Sequence, residues 1–225
     1  MNVNINGTIN LLEAVRNYNQ EAVVHICGSS EAYGHNTNNP TKETEPYAPL
    51  SPYALSKVCQ EQAGMMYNRV YGLKTVMSRA FTHTAKRRGD VFFVSSFAKQ
   101  IAKIEKGLQE PMVQVGNMES KLTIMNVRDC VEAYWLLTEK GKYGEVYNIG
   151  GKELWEVRNV LIELVKLSNK SDIKYNVDRK LWRIKDVNIQ IPDVSKFKKI
   201  SGWEPKISVK DTIKEVLEYW RKRIK

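Results

Sequence analysis

The residues whose types and spacing point most clearly to catalysis are Tyr53 and Lys57, in the segment Ser-Pro-Tyr-Ala-Leu-Ser-Lys that ends at Lys57. Residues four apart on a helix lie on the same face, one turn from each other. A lysine ammonium beside a phenol stabilises the phenolate, which makes the phenol usable as a general acid or base near neutral pH. The spacing alone also fits two unrelated surface residues, so its meaning depends on the surrounding sequence.

A second polar group follows a short apolar run upstream of this pair. Residues 22–27 are typical of a buried strand, and the sequence Gly-Ser-Ser-Glu, ending at Glu31, comes directly after it. Ligands of parallel sheets bind beyond the carboxyl ends of the strands. We therefore expect Ser29 and Glu31 to face the same cleft as the helix that carries Tyr53. The alternative for Glu31 is a solvent-facing loop carboxylate.

Helices and strands alternate around these residues, as apolar periodicity and Gly or Pro stop signals indicate. The predicted elements are a helix over 6–17, a strand over 22–27, a loop over 35–51, a helix over 52–70 and a strand over 74–79. Further on we predict helices over 95–106, 129–139, 157–167 and 211–225, and strands over 112–115 and 146–149. Such alternation implies an α/β fold with a parallel sheet and helices on its faces.

The whole combination resembles the extended short-chain dehydrogenase/reductases, and within them the GDP-mannose 4,6-dehydratases and the GDP-4-keto-6-deoxy-mannose reductases. The order that carries the resemblance is strand, Ser-Ser-Glu-x-Tyr-Gly, loop, Ser-Pro-Tyr-x-x-Ser-Lys, strand, Arg-x-Phe-x-His-Thr. Further matching segments are 7–14, 82–92, 97–102, 115–117, 127–129 and 202–205.

The resemblance implies a partial Rossmann-like parallel sheet with helices on both faces, plus a smaller α/β substrate-binding domain. Residues 1–80 would be the C-terminal part of an NAD(P)-binding domain. Residues 81–225 would be mainly the substrate-binding domain, with 126–150 returning to the Rossmann-like sheet.

The resemblance also implies catalytic roles. Tyr53 would be the acid/base at the 4-hydroxyl of a GDP-hexose, Lys57 would assist it and hold the nicotinamide ribose, and Ser29 would hydrogen-bond the same sugar oxygen. A 4,6-dehydratase must also remove the C5 proton, for which the Glu31 carboxylate is suited. Some reductases resemble the dehydratases at this loop, so Glu31 favours dehydration without deciding it.

Binding roles carried over by resemblance involve NADP, or NAD, and a GDP-hexose. The implied cofactor-binding residues are Cys27, Gly28, Tyr53, Lys57, Phe81, His83 and Arg88. The implied substrate-binding residues are Ser30, Thr82, Arg87, Val91, Lys99, Gly116, Arg183 and Asp186. Arginines suit the substrate diphosphate because a guanidinium can donate two parallel hydrogen bonds.

The sequence departs from the family pattern at several places. Nothing before residue 28 matches the Gly-x-x-Gly-x-x-Gly turn that approaches the cofactor pyrophosphate. Thr82-His83-Thr84-Ala85 stands where Asn-His-Thr-Gly is usual, and Leu122 stands where a phosphate-binding arginine is usual. The alternatives to a dehydratase are therefore a reductase or epimerase of the same superfamily, or an inactive chain that binds a nucleotide sugar or a partner subunit.

Bulk properties narrow the partners. Hydrophobic residues make up 42% and charged residues 27%, which argues against a disordered chain. No apolar run reaches the roughly 18 residues of a membrane span, and the N-terminus lacks a signal-peptide pattern. The net charge of +10 suits anionic ligands, but the basic clusters lack interleaved aromatic residues, so we expect no nucleic acid partner.

The cysteines suggest a cellular compartment for the chain, and the resemblance suggests its oligomeric state. Cys27, Cys59 and Cys130 are odd in number and show no metal-ligand spacing, so we expect reduced thiols, no metal and a cytoplasmic protein. The resemblance implies a homo-oligomer, a dimer or a tetramer.

Overall fold

The computed structural model describes residues 1–35, 38–182 and 189–225. The helices are α1 (Asn2–Tyr18), α2 (Pro52–Tyr71), α3 (Phe93–Glu105), α4 (Val127–Lys140), α5 (Val157–Lys166), α6 (Ser195–Ser201) and α7 (Val209–Arg223). The strands are β1 (Val24–Cys27), β2 (Thr75–Ala80), β3 (His83–Thr84), β4 (Met112–Val115), β5 (Lys121–Thr123), β6 (Met125–Asn126), β7 (Val146–Ile149), β8 (Leu154–Glu156), β9 (Lys174–Val177) and β10 (Ile189–Gln190). Short 3-10 turns span Ser30–Tyr33 and Arg179–Leu181.

The chain divides into two compact units. Unit 1 comprises Met1–Phe81, Arg128–Gly150 and Ile191–Pro205. Unit 2 comprises Thr82–Val127, Gly151–Gln190 and Lys206–Lys225.

Unit 1 is built on a parallel sheet in the order β1-β2-β7. The central strand β2 is buried along its whole length, as expected for a parallel strand covered on both faces. Val24 of β1 pairs with Thr75, and Met77 pairs with Val146 of β7. Among the described residues, β1 has a ladder partner on one side only, so its other edge is open.

Helix α2 begins and ends at residues suited to those places. Ser51 caps its N-terminus by accepting a hydrogen bond from the Ala54 N–H at 3.0 Å, and Pro52 occupies the first turn. Gly72 ends the helix in the left-handed conformation, with φ of 72°. Helix α1 packs against α2, and the Tyr67 hydroxyl donates to the Glu13 carboxylate at 2.5 Å. Helix α2 is thus capped at both ends and bonded to α1 near its C-terminus.

Unit 2 contains several small sheets and its own apolar core. Strands β3 and β6 pair in parallel, as do β4 and β9, and a mixed sheet has the order β10-β5-β8. The core lies between α3, α5 and α7, and its fully buried members include Ile101, Val160, Leu164, Ile213 and Leu217. Each of these helices contributes an apolar stripe at helical spacing.

The α/β class with a parallel sheet, predicted from alternation, is confirmed. The predicted helix over 52–70 and the strands over 112–115 and 146–149 match α2, β4 and β7 closely. Helix α1 begins four residues earlier than expected, and the Asn4 side chain donates to Ser56 Oγ at 2.9 Å from this added turn. Strands of two or three residues such as β3 and β6 were not predicted, because so few residues show no periodicity.

Candidate active site

The segment that carries Ser29 and Glu31 is stabilised by the Ser29 side chain. Ser29 follows β1 and Gly28, and its Oγ accepts a hydrogen bond from the Glu31 N–H at 3.2 Å, which caps the 3-10 turn Ser30–Tyr33. Ser29 and Ser30 are buried, and Glu31 is partly exposed. The strand end thus presents a serine hydroxyl and a carboxylate two residues apart.

Glu31 lies at the N-terminus of the helix that carries Tyr53. The Ser51 hydroxyl, which caps α2, also approaches the Glu31 Oε2 at 3.5 Å. The N-terminus of a helix favours negative charge, so this is a stable place for a carboxylate. Tyr53 stands in the first turn of α2 and is 49% exposed, which leaves its phenol accessible to a ligand. The turn that carries Glu31 and the start of α2 thus meet where Ser51 approaches Glu31.

Lys57 sits one turn after Tyr53 and reaches back to β1. Its Nζ donates a hydrogen bond to the Cys27 carbonyl oxygen at 2.9 Å and lies 5.8 Å from the centroid of the Tyr53 ring. Burial lowers the pKa of Lys57, which the nearby Cys27 thiol partly opposes. Burial of the thiol raises the pKa of Cys27 and the Lys57 charge opposes this, although the residue as a whole is solvent-exposed.

Two further residues of the predicted cofactor set lie in unit 1. Gly28 passes so close to β2 that a Cβ on it would lie 2.3 Å from the Ser78 carbonyl oxygen. Phe81 is buried, its N–H donates to the Ile149 carbonyl oxygen at 2.8 Å, and its ring centroid lies 6.2 Å from that of Tyr33. Both residues therefore pack closely against neighbouring strands at the carboxyl ends of β1 and β2.

The remaining predicted residues that are described lie in unit 2. Thr82 and His83 belong to the β3–β6 pairing, where the Thr82 carbonyl oxygen accepts from the Met125 N–H at 3.1 Å. A Cβ on Gly116 would lie 2.9 Å from the Leu181 carbonyl oxygen, so glycine is required there by a backbone neighbour. Arg183 and Asp186 lie outside the described residues.

The basic turn before α3 forms a local cluster within unit 2. Arg87 has a positive φ of 72°, which is uncommon for a residue with a side chain. The Arg88 guanidinium carbon lies 3.5 Å from the centroid of the Phe92 ring, and Lys99 pairs with Asp90. Val91 is 84% exposed.

Sequence reasoning missed a buried ion pair beneath the unit 1 site. Arg79 at the end of β2 pairs with Glu61 of α2, with Nη2 to Oε1 at 2.6 Å and Nε to Oε2 at 2.9 Å. Burial would lower the pKa of Arg79, but the hydrogen bonds and charge of Glu61 raise it. The available indication was spacing, since Glu61 continues the four-residue series that begins at Tyr53 and Lys57.

Comparison with known proteins decides the family. A family model described as GDP-mannose 4,6 dehydratase matches residues 1–216. The chain belongs to this family.

Members of the family and related structures agree with this assignment. The chain is 31% identical over 219 residues to GDP-mannose 4,6 dehydratase 1 of Arabidopsis thaliana, covering 94% of this chain and 59% of that protein. It is 26% identical over 227 residues to GDP-6-deoxy-D-mannose reductase of Pseudomonas aeruginosa, covering 100% of this chain and 74% of that protein. The chain thus spans less than two thirds of the dehydratase.

Solved structures give the same picture of the fold. The structure of RMD from Pseudomonas aeruginosa complexed with NADPH superposes with a TM-score of 0.91 at 25% identity, covering 99% of this chain and 74% of that chain. UDP-glucose 4-epimerase from Thermotoga maritima, with UDP-glucose, superposes with a TM-score of 0.85 at 29% identity, covering 100% of this chain and 71% of that chain. The predicted Rossmann-like, dehydratase-related family is confirmed.

Proposed function

We propose that this chain carries the catalytic residues of an NADP- or NAD-dependent GDP-hexose 4,6-dehydratase, which converts GDP-mannose to GDP-4-keto-6-deoxy-mannose and water. The observation that supports this most is the place of Glu31, whose carboxylate approaches the cap of the helix that bears Tyr53. A proton acceptor and a phenol at one strand end suit the removal of a proton beside a ketone.

The residues of unit 1 divide the work as follows. Tyr53 takes the proton of the sugar 4-hydroxyl, and Ser29 donates a hydrogen bond to the same oxygen. The Lys57 ammonium stabilises the Tyr53 phenolate that accepts this proton. Glu31 removes the C5 proton, which the transient 4-ketone makes acidic, and then donates that proton to the C6 hydroxyl, which leaves as water.

The nicotinamide cofactor, when bound, supplies the hydride acceptor at C4 and the hydride donor at C6. The donor inventory of Lys57 fits such a group. An ammonium has three N–H donors, and the Cys27 carbonyl oxygen takes one of them at 2.9 Å. The others would serve the ribose hydroxyls and the Tyr53 oxygen. Cys27, Gly28 and Phe81 would also contact the cofactor.

In unit 2, basic side chains suit the GDP diphosphate. We propose Arg87 for this role. We propose as further substrate-binding residues Thr82, Val91, Lys99, Gly116, Arg183 and Asp186, and as cofactor-binding residues His83 and Arg88. Support comes from the cluster before α3, where Arg88 stacks on Phe92 and Lys99 pairs with Asp90. A guanidinium in such a cluster matches a diphosphate by charge and geometry.

A reductase of the 4-keto sugar is the second candidate. It is favoured by the reductase of Pseudomonas aeruginosa, which matches the full length of this chain. The two reactions differ in cofactor balance, because a dehydratase returns its hydride to the sugar whereas a reductase consumes NADPH. Net loss of NADPH absorbance with the 4-keto sugar would therefore identify the reductase.

We also propose a homo-oligomer working in the cytoplasm. Side chains of α1 and α2 leave apolar surface open, including Leu11, Leu55 and Val70. Such surface suits a helix-to-helix contact between copies. Cys27, Cys59 and Cys130 are free thiols, which suits a reducing compartment. No helix among the described residues is both long and apolar enough to cross a membrane.

Calorimetric titration of the purified chain with NADP⁺ and then with GDP-mannose tests the proposal. Binding of both, followed by loss of one water from GDP-mannose and abolition of turnover by Tyr53→Phe, is the expected result. Binding of GDP-mannose without NADP⁺ would leave a nucleotide-sugar-binding protein. Binding of neither would contradict enzymatic activity of this chain on its own.

A further inference from the structure

The pair formed by Arg79 and Glu61 is almost fully shielded from water. The side chains of Arg79 and Glu61 are 2% and 1% exposed, and their contact is bidentate. Removing two charges from water has a large free-energy cost that their attraction does not always offset, so a buried pair is weak evidence for stability by itself. Its contacts with the neighbouring segments indicate another role.

One partner of the pair, Glu61, belongs to helix α2, which also carries the Tyr53 phenol and the Lys57 ammonium. Tyr53, Lys57 and Glu61 are spaced four residues apart on α2 and therefore share one face of the helix. Arg79 stands on the central strand β2, which is buried along its whole length. The ion pair thus fixes α2 to the sheet one turn after Lys57.

On the other side, Arg79 holds the loop that carries Ser29 and Glu31. Its guanidinium carbon lies 4.6 Å from the centroid of Tyr33, the last residue of the 3-10 turn that contains Glu31. The Tyr33 hydroxyl donates to Asn148 Oδ1 at 2.7 Å on β7. Burial raises the pKa of Tyr33 to about 12, which Arg79 partly opposes, so the phenol stays a hydrogen-bond donor.

The segment between loop and helix is fastened to the same guanidinium. The ring centroid of Tyr47 lies 4.7 Å from the Arg79 guanidinium carbon, and the Tyr47 hydroxyl donates to Glu61 Oε1 at 2.7 Å. Arg79 Nη1 also donates to the Glu43 carbonyl oxygen at 3.1 Å. One buried cation therefore contacts the 3-10 turn, the connecting segment and α2.

We propose that Arg79 and Glu61 are positioning residues for the active site: they set α2, with Tyr53 and Lys57, at a fixed distance from the turn that holds Ser29 and Glu31. The role rests on the proposed function for its effect on turnover, but not for its effect on geometry. A planar guanidinium with five donors can join several segments in one geometry, which lysine cannot do.

The contact between Lys57 and Cys27 gives a geometric readout that needs no substrate. The Lys57 charge lowers the pKa of the Cys27 thiol, so its removal should move the midpoint of the pH–alkylation profile of Cys27 to higher pH. The midpoint reports the charge, whereas the plateau rate reports access to the thiol. Mass spectrometry of the Cys27 peptide separates it from Cys59 and Cys130.

The test compares the double variant Glu61→Met/Arg79→Met with Lys57→Met. Replacing both partners with apolar side chains of similar size avoids an unpaired buried charge, so the double variant should fold. We expect its Cys27 midpoint to rise by roughly half or more of the Lys57→Met shift. In a dehydratase assay we expect kcat to fall at least about tenfold while KM for GDP-mannose changes less than about threefold.

Arg221 and Glu105 of unit 2 offer a matched control, since they form a second bidentate pair, with Nη2 to Oε1 at 2.6 Å and Nε to Oε2 at 2.8 Å. The variant Glu105→Met/Arg221→Met should leave the Cys27 midpoint and kcat unchanged. A folded Glu61→Met/Arg79→Met variant with an unchanged midpoint would overturn the proposal, whatever happens to turnover.

If that double variant fails to fold, the single variant Arg79→Lys tests the proposal. Lysine keeps the charge but loses the bidentate contact and the stacking on the Tyr33 and Tyr47 rings. We expect a Cys27 alkylation midpoint between those of the wild-type chain and Lys57→Met, and an unchanged midpoint would overturn the proposal. If the wild-type chain shows no dehydration, the proposed function fails, while the Cys27 readout still tests the positioning role.

Discussion

Gly28 and Ser78 approach each other so closely that a Cβ on Gly28 would lie 2.3 Å from the Ser78 carbonyl oxygen. The neighbour is backbone of the central strand and cannot move aside cheaply. The contact fixes where the chain leaves β1, and hence where Ser29 begins. Glycine at this position is therefore a requirement of packing rather than of φ.

The first prediction is that Gly28→Ala lowers the free energy of unfolding by about 2 kcal/mol, because the added methyl group overpacks the contact between β1 and β2. Urea denaturation measures this change. Gly7→Ala is the control: nothing lies within 4 Å of its added Cβ in α1, so stability should rise by up to about 1 kcal/mol. Equal behaviour of the two variants would contradict the close approach.

The second prediction concerns the cap of α2. Ser51→Ala removes the acceptor of the Ala54 N–H and the hydroxyl beside Glu31, so it should cost about 1 kcal/mol of stability and also reduce turnover. Ser208 caps α7 by accepting from the Asp211 N–H at 3.0 Å. Ser208→Ala should therefore cost a similar free energy in urea denaturation and leave turnover intact. Loss of turnover in both variants would mean that stability alone is responsible.

The third prediction isolates the chemistry of Glu31. Glu31→Gln keeps the size of the side chain but removes the base, so dehydration should fall by roughly 100-fold or more. Exchange of the C5 proton of the sugar with deuterated water, followed by NMR, measures the step directly. NADP⁺ and GDP-mannose should bind as before, which calorimetry checks. Undiminished exchange would show that another group removes the proton.

The fourth prediction concerns pH. Burial lowers the pKa of His25 to about 4, and its Nε2 lies 2.9 Å from Ser78 Oγ. Above the ordinary value near 6.5 the histidine is neutral in both folded and unfolded states and contributes nothing. As pH falls from 6.5 to about 4, the unfolded state binds the proton first, so stability is lost across this window. The loss amounts to about 3 kcal/mol at the lower end.

Urea denaturation at pH 5 and pH 7.5 tests the histidine prediction. His25→Gln should flatten the difference between the two conditions relative to the wild-type chain. His35→Gln, at an exposed position, is the matched control and should preserve the difference. If both variants keep the wild-type dependence, other groups cause it.

Much of this architecture followed from the sequence because its signals are local. Helix α2 was predicted almost to the residue, since Pro52 and Gly72 mark its ends. The proximity of Lys57 to Tyr53 followed from helical spacing. The proximity of Glu31 to the start of α2 followed from the rule that ligands of parallel sheets bind beyond the carboxyl ends of the strands. The strand β3 was missed because pairing partners that lie far apart in sequence leave no local pattern.

The ion pair between Arg79 and Glu61 marks the limit of sequence reasoning. Arg79 stands in a strand that is buried on both faces, where a charge is unexpected. Glu61 looks like an ordinary polar residue on a helix. Only the folded chain shows that each is the other's partner and that Tyr33 and Tyr47 enclose them.

The one-sided pairing of β1 has a consequence for how the active site tolerates insertions. The N–H groups of Val24 and Gly28 bond to β2, at 2.8 Å to Lys74 and 2.7 Å to Ser78. Backbone groups alternate in direction along a strand, so the Cys27 carbonyl oxygen points to the open edge, where Lys57 reaches it. A single residue added within β1 would reverse this parity: the acceptor for Lys57 would turn toward the sheet, and Ser29 would change face. The positions of the Lys57 acceptor and of Ser29 thus depend on whether the number of residues in β1 is odd or even. An insertion or deletion in this strand should therefore disrupt the catalytic arrangement more completely than most substitutions.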